Sequence, residues 1–363
     1  MRGEVDPQSS MFHYFSVESR ISADHPLRRV KKLAESALSA ISAELDGLYA
    51  RTGRPSIPPE RLLKAQLLIA FYSVRSDRLF CEQLDYNLLF RWFLDLDLES
   101  GGLDQSNFSR LRERLVETDI ARRFFDEVVR LARKDKLLSS DHFTVDGTLI
   151  DAWASFKSFK RKDDNEPPKP GDGTGMVDFK GEKRSNATHQ STTDPEAKLM
   201  RKGNGQPAKL SYGGHALMEN RSGLCVDLLI TDATLAEHQA ARQLLTRARR
   251  RKIHPKTLGA DKGYHVKDFV QHLREHNIRP HIARIEGRKT PGLDGRTTRT
   301  AGYKVSQRKR KRIEEIFGWL KTVGGMRKTR FIGQTRTQIA AYLSAAAYNL
   351  LRIAKLQSAG SAA

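Results

Sequence analysis

The hydrophobic period of this chain, helical up to that point, turns to alternation at His142, and that change limits what each side of it can fold into. Before it, apolar residues recur at the three-and-four spacing of an α-helix: Leu27, Val30, Leu33, Ala34, Ala37, Leu38, Ile41 and Leu45 lie in one stretch from His25 to about Tyr49. The breaker cluster from Gly53 to Pro59 follows, and Pro58-Pro59 suits the start of a strongly apolar helix through Leu62, Leu63, Leu67, Leu68, Ile69 and Phe71. Further helices are expected over 76–87, 103–115 and 119–138. From Phe143 to Ile150 the pattern alternates as in a strand, with Thr144, Asp146 and Thr148 on one face and Phe143 and Val145 on the other. Leu210–Glu219 and Gly223–Thr231 flank Asn220-Arg221-Ser222 as a hairpin, and Lys256–Ala260 and Arg279–Ile285 read as a fourth and a fifth strand. Helices are expected over 236–250, 266–276, 306–321 and 338–356. The chain therefore divides into an all-α part, residues 1–140, and an α/β part, residues 141–363. The latter carries a polar insertion at about 155–208, read as a long loop in which Thr193-Asp194-Pro195 suits the start of a short helix. Phe12, Tyr14 and Phe15 form a small aromatic knot suited to pinning the N-terminal arm.

With 363 residues the chain can bury a sizeable core. Lys and Arg number 64 against 43 Asp and Glu, a formal charge of +21, and so basic a chain suits a polyanionic partner. Nucleic acid leads, since no polybasic run flanks a long apolar segment as a membrane anchor would require. Cys81 and Cys225 are far apart and lack zinc-site spacing, and the N-terminus has no apolar signal core, so a cytoplasmic protein is expected.

Two regions carry residues for chemistry or recognition. Asp104 or Ser106 can cap the helix over 103–115, with Phe108, Leu111 and Leu115 inward and Gln105, Asn107, Arg110 and Arg112 outward. Amides and guanidinium groups near a helix start suit base edges in a major groove, although a capped surface helix looks the same in sequence. In 306–321, read as one helix, Arg310, Glu314 and Lys321 share a narrow stripe beside the apolar stripe of Ile313, Ile316, Phe317 and Leu320. Glu315 falls off that stripe. An ordinary i,i+4 pair of Arg310 with Glu314 would leave the same trace. Asp146 lies in mid-strand, where a carboxylate is disfavoured, and Asp261 at the carboxyl end of a strand, where open α/β sheets place ligands. Taken singly, one is also a solvent-facing strand residue and the other a turn aspartate that caps the next helix. Together, Asp146, Asp261 and Glu314 offer hard oxygen ligands to Mg²⁺ or Mn²⁺, as two-metal phosphodiester chemistry requires.

Val145-Asp-Gly-Thr-Leu149, Gly259-Ala-Asp-Lys-Gly-Tyr264 and Arg310-x3-Glu314-x6-Lys321, in that order, resemble a DDE transposase of bacterial insertion sequences, of the insertion-sequence-five type. Gly53-Arg-Pro-Ser56, Asp104-Gln-Ser-Asn-Phe-Ser109 and Ala346-Ala-Tyr-Asn-Leu-Leu-Arg352 extend the resemblance over nearly the whole chain. It implies a ribonuclease-H-like mixed sheet flanked by helices, with Asp146, Asp261 and Glu314 as catalytic metal ligands and Arg310 and Lys321 on DNA phosphates. The Tyr-Arg-Glu-Lys signature would place its tyrosine at Gln307, and the nearest upstream tyrosine is Tyr303. The implied activity is cleavage at insertion-sequence ends and transfer of the 3′ end to target DNA with Mg²⁺, for which Mn²⁺ can substitute. The expected partners are terminal inverted repeats, target DNA and, on DNA, further copies of the chain. A catalytically inactive DNA-binding regulator and a metal-dependent nuclease that only hydrolyses remain the alternatives.

Overall fold

The computed structural model describes residues 16–47, 56–116, 118–162 and 184–360. Phe12, Tyr14, Phe15 and most of Gly53–Ser56 lie outside them. The N-terminal part is helical throughout: α1 (Val17–Arg20), α2 (Leu27–Ala40), α3 (Ser42–Asp46), α4 (Pro59–Phe71), α5 (Asp77–Tyr86), α6 (Leu88–Phe93), α7 (Gln105–Val116) and α8 (Ile120–Lys134). Pro59 opens α4 at a position whose N–H has no helical partner in any case, and the helix then buries residues on every side from Leu62 to Ala70. The expected helices are present, and the aromatic stretch after Asn87 forms α6, which Asn87 caps by accepting from the Phe90 amide at 3.1 Å.

The α/β part begins with β1 (His142–Asp151), followed by β2 (Phe159–Arg161), β3 (His189–Ser191), β4 (Lys198–Met200), β5 (Lys209–Glu219) and β6 (Cys225–Asp232). Next come α9 (Glu237–Arg250), β7 (Thr257–Ala260), α10 (Lys267–Glu275) and β8 (Arg279–Ile282). The chain ends with α11 (Gly295–Thr298), α12 (Ala301–Lys309), α13 (Ile313–Thr322) and the 27-residue α14 (Gln334–Gly360). In the sheet β1 is central, antiparallel to β5 and parallel to β7, which is parallel to β8. The far edge of β5 pairs with β6 and, at its start, with β4. The order β6-β5-β1-β7-β8, with helices on both faces, is the ribonuclease-H-like arrangement expected.

Three expectations are corrected. The insertion is not all loop: β2 and β3 pair as a ribbon and β4 joins the main sheet. Thr193-Asp194-Pro195 starts no helix, because Asp194 turns inward and its Oδ1 accepts from the buried Tyr212 hydroxyl at 2.7 Å. Residues 306–321 are not one helix, because a 3₁₀ turn over Arg310–Arg312 separates α12 from α13. At that turn Arg312 donates to the hairpin carbonyls of Asn220 and Arg221 at 2.9 and 2.8 Å.

One face of the sheet, through Phe143, Val145, Leu217 and Val226, packs on α9 and α10. The other, through Ile150, Tyr212, Ala216 and Ile230, joins a core shared by α13, α14 and the N-terminal helices. The small residues Ala341, Ala345, Ala346 and Ala347 let the neighbours of α14 approach closely. The helical and α/β parts are thus sewn together by the last helix. A buried ion network adds to the seam: Asp227, 1% exposed, lies 3.0 Å from Arg247 and 2.8 Å from Arg251, and Arg251 reaches Asp126 on α8 at 2.6 Å. Removing one charge strands the others in the interior, so Asp227→Asn is expected to cost about 3 to 5 kcal/mol in chemical unfolding. Asp141→Asn, which breaks an exposed pair with Lys256, should cost less than about 1 kcal/mol.

Candidate active site

The parallel register of β1 with β7 matches His142 to Thr257, Phe143 to Leu258 and Thr144 to Gly259, and then the strands part. Asp146 stands two residues beyond Thr144 and Asp261 two beyond Gly259, so the two carboxylates open the crevice where the pairing ends. Asp146 Oδ1 accepts from the Gly147 amide at 2.8 Å, and Asp261 Oδ1 accepts from the Gly263 amide at the same distance. Asp261 thereby does cap the single 3₁₀ turn Lys262–Tyr264. Burial pushes the Asp146 carboxyl up to about 6, against the Gly147 hydrogen bond; the charges of Asp261 and Glu314 add to the rise and Arg310 opposes it.

Glu314 enters from α13 as its second residue, exposed on the side that reaches Asp146. Its neighbour Glu315 faces Arg312 at 3.6 Å and Arg352 at 3.9 Å. The two glutamates therefore differ as the helical spacing predicts. No ion pair joins Arg310 to Glu314 among the described residues. Arg310 Nε donates instead to Gln307 Oε1 at 3.1 Å, and Gln307 in turn donates to the carbonyl of His281. Gln307, at the signature's tyrosine position, thus orients Arg310. Tyr303 spends its hydroxyl on the Ile282 carbonyl at 2.9 Å. Lys321 Nζ donates to Thr148 Oγ1 at 2.6 Å, one same-face step along β1 from Asp146, and burial lowers its pKa. Arg310, the first residue of the 3₁₀ turn, and Lys321, on α13, flank the crevice.

Sequence reasoning missed Glu237, the first residue of α9. Burial raises its carboxyl to about 7, helped by the charges of Asp261 and Asp146. An acidic residue in a first helical turn is ordinary dipole chemistry, so nothing in the sequence set it apart. Tyr264 and His215 complete the surroundings. Tyr264 is fully buried, and its hydroxyl, raised by burial and then by Glu237, Asp146 and Asp261, has no hydrogen-bond partner. His215, 3% exposed, is held neutral by burial, which lowers its pKa to about 4.

On the N-terminal part, Asp104 caps α7 by accepting from the Asn107 amide at 2.8 Å. Gln105, Asn107 and Arg110 are exposed, and Arg110 reaches Asn107 Oδ1 at 2.5 Å. Arg112 is a correction. It turns inward to an ion pair with the buried Asp77 and stacks over Phe331 at 5.2 Å, so it is not on the outer face.

Residues 177–350 match the family described as Transposase DDE domain, and residues 15–114 match that described as Transposase domain (DUF772). Both matches are to transposase families, one on the helical part and one on the α/β part. The DDE match includes Asp261, Glu314 and Glu237, and Asp146 precedes it. Among solved structures the chain is similar to piggyBac transposase in a synaptic complex with hairpin DNA, at 10% identity and a TM-score of 0.43, over 93% of this chain and 76% of that one. It is also similar to a pre-cleavage Mos1 transpososome, at 11% identity and a TM-score of 0.20, over 84% of this chain and 81% of that one. No curated protein matches it. No helix among the described residues is long and apolar enough to cross a membrane.

DDE transposases use divalent metal ions, and the donor set here fits one. It consists of hard carboxylate oxygens that raise one another's pKa, beside an orphaned buried tyrosine hydroxyl. Another group, His272, Glu275 and His276 on and just after α10, has its ligand atoms within 4.8 Å of one another. Its spacing follows from i, i+3 and i+4 on a helix; burial and then the charges of His276, Arg242 and Arg249 lower the His272 pKa, and the two nearby guanidinium groups oppose a cation there. The carboxylates of the crevice at Asp146 suit a divalent cation better.

Proposed function

We propose that the protein is a transposase that binds the ends of an insertion sequence, cleaves the phosphodiester there and joins the freed 3′ end to target DNA. The observation that carries this reading is the meeting of Asp146 and Asp261 where β1 and β7 part, with Glu314 on α13 close enough for its charge to act on Asp146. In this reading the three carboxylates hold Mg²⁺, or Mn²⁺ in its place. When bound, the ions supply Lewis-acid activation of the attacking oxygen and charge stabilisation of the leaving one. Arg310, fixed by Gln307, neutralises a phosphate beside them, and Lys321, which keeps donors free beyond Thr148, reaches the next. Water attacks in the cleavage step and the 3′-hydroxyl in the joining step, with no covalent link to the protein. Gln105, Asn107 and Arg110 on α7 read base edges, in a helical part that serves as the DNA-binding domain up to residue 140. Further copies of the chain assemble with it on DNA.

The test is the full chain with labelled element ends, supercoiled target and Mg²⁺, followed for both cleaved and joined products. Cleavage without joining would leave a hydrolytic nuclease, and end binding without either would leave a regulator. In the same full chain, Asn107→Ala with Arg110→Ala should cost about 1 to 3 kcal/mol of end discrimination per lost base contact. Unchanged footprints would remove α7 from base reading. Arg310→Ala and Lys321→Ala should each flatten the slope of log affinity against log salt by about one phosphate contact. Unchanged slopes would return both side chains to structural duty.

A further inference from the structure

Gly147 and Gly263 do the same thing on two strands. Each donates its amide to an aspartate of the crevice, Asp146 and Asp261 respectively, and each leaves the space of a missing Cβ facing the carboxylate of Glu237. A Cβ on Gly147 would stand 2.8 Å from Glu237 Oε1, and one on Gly263 would stand 3.3 Å from Glu237 Oε2 and 3.1 Å from Asp261 Oδ1. Glu237 therefore turns one oxygen toward each of the two glycines whose amides hold the aspartates.

A buried acceptor is aimed at the same place. The Thr231 hydroxyl donates to the Asp232 carbonyl at 2.9 Å, which uses its one proton, so across 3.0 Å it accepts from His215 Nε2. His215 Nδ1 is then a bare lone pair with no partner, 3.1 Å from the Cβ position of Gly147 that Glu237 Oε1 also approaches. Acceptors from a histidine and a carboxylate converging in a buried space call for something electron-poor between them.

Resting on the function proposed above, we infer that Glu237 is a fourth carboxylate ligand, which with Asp146 and Asp261 holds a divalent cation on the inner side of the crevice while Glu314 serves its solvent side. The missing side chains of Gly147 and Gly263 are what admit Glu237 between the strands.

The experiment is Mn²⁺ binding to the full chain without DNA, read from the spectroscopic signal of free Mn²⁺, with unfolding midpoints measured in chelator for every variant. Glu237→Gln should weaken Mn²⁺ by about tenfold or more, as Asp146→Asn does, while its metal-free midpoint stays at or above that of the parent chain. Gly147→Ala, whose Cβ would meet Glu237 Oε1 at 2.8 Å with neither aspartate among its nearest neighbours, should weaken Mn²⁺ in the same direction, and Glu315→Gln should leave it unchanged. Parental Mn²⁺ affinity in Glu237→Gln, with the loss confined to Asp146→Asn, would overturn the role of Glu237 alone. Parental affinity in Asp146→Asn as well would overturn the carboxylate metal centre on which it rests. If Glu237→Gln lowers the metal-free midpoint, Gly147→Ala decides, and parental Mn²⁺ affinity there overturns the inference.

Discussion

Asp146→Asn, Asp261→Asn and Glu314→Gln are each expected to reduce cleavage of a labelled element end to the assay background, whereas Glu315→Gln keeps it. Each change preserves side-chain volume and removes one negative charge, so the fold has little reason to respond. A cation held by carboxylates loses both a bond and a countercharge. The loss should exceed the about 10- to 100-fold that follows from disturbing a merely supporting partner. Glu315 supplies the internal control because it is one residue away, on the same helix, and already faces Arg312 and Arg352. End binding, measured by mobility shift in chelator, should survive in all four variants, since Lys and Arg contacts supply it. Equal damage from the two glutamate changes would mean that α13 presents a different face to the crevice.

Much of this arrangement is legible in the order of the residues. The five main strands and the larger helices follow from period alone, since each buries one face or, for β5 and β6, both faces in a core that residue spacing reveals. Asp261 at a strand end and Glu314 beside an apolar stripe follow from the same periodicities. What escapes depends on residues distant in sequence. Arg112 looks like a surface cation until Asp77, on another helix, draws it inward. The 3₁₀ turn at Arg310–Arg312 contains no proline or glycine to announce it; the hairpin carbonyls of Asn220 and Arg221 hold it through Arg312. The short strands β2, β3 and β4 are too polar and too brief to alternate visibly. Glu237 is invisible in sequence because its meaning lies in two distant glycines, and a glycine's vacancy has no sequence signal of its own.

The second large effect is a metal response that pH switches on. In the metal-free protein the raised carboxyls of Asp146, at about 6, and Glu237, at about 7, hold more protons when folded than when unfolded across roughly pH 4 to 7. Stability from these two groups therefore falls as pH rises through that window, the opposite of an ion-paired carboxylate. Asp261 and Glu314 press on Asp146, Asp261 and Asp146 press on Glu237, Arg310 relieves Asp146, and His215, lowered to about 4, is neutral over all but the acid end of the window. A divalent cation needs the deprotonated forms, so its affinity should climb over the same interval and level off above about pH 7. Thermal unfolding with and without Mg²⁺ should accordingly show almost no metal-induced shift at pH 5. At pH 8 the shift should be large, equivalent to about 2.7 kcal/mol when Mg²⁺ is a hundredfold above its dissociation constant. Asp146→Asn with Glu237→Gln should erase that shift and also flatten the metal-free decline. A shift of equal size at pH 5 and pH 8, or one that persists in the double variant, would place the cation elsewhere on the protein.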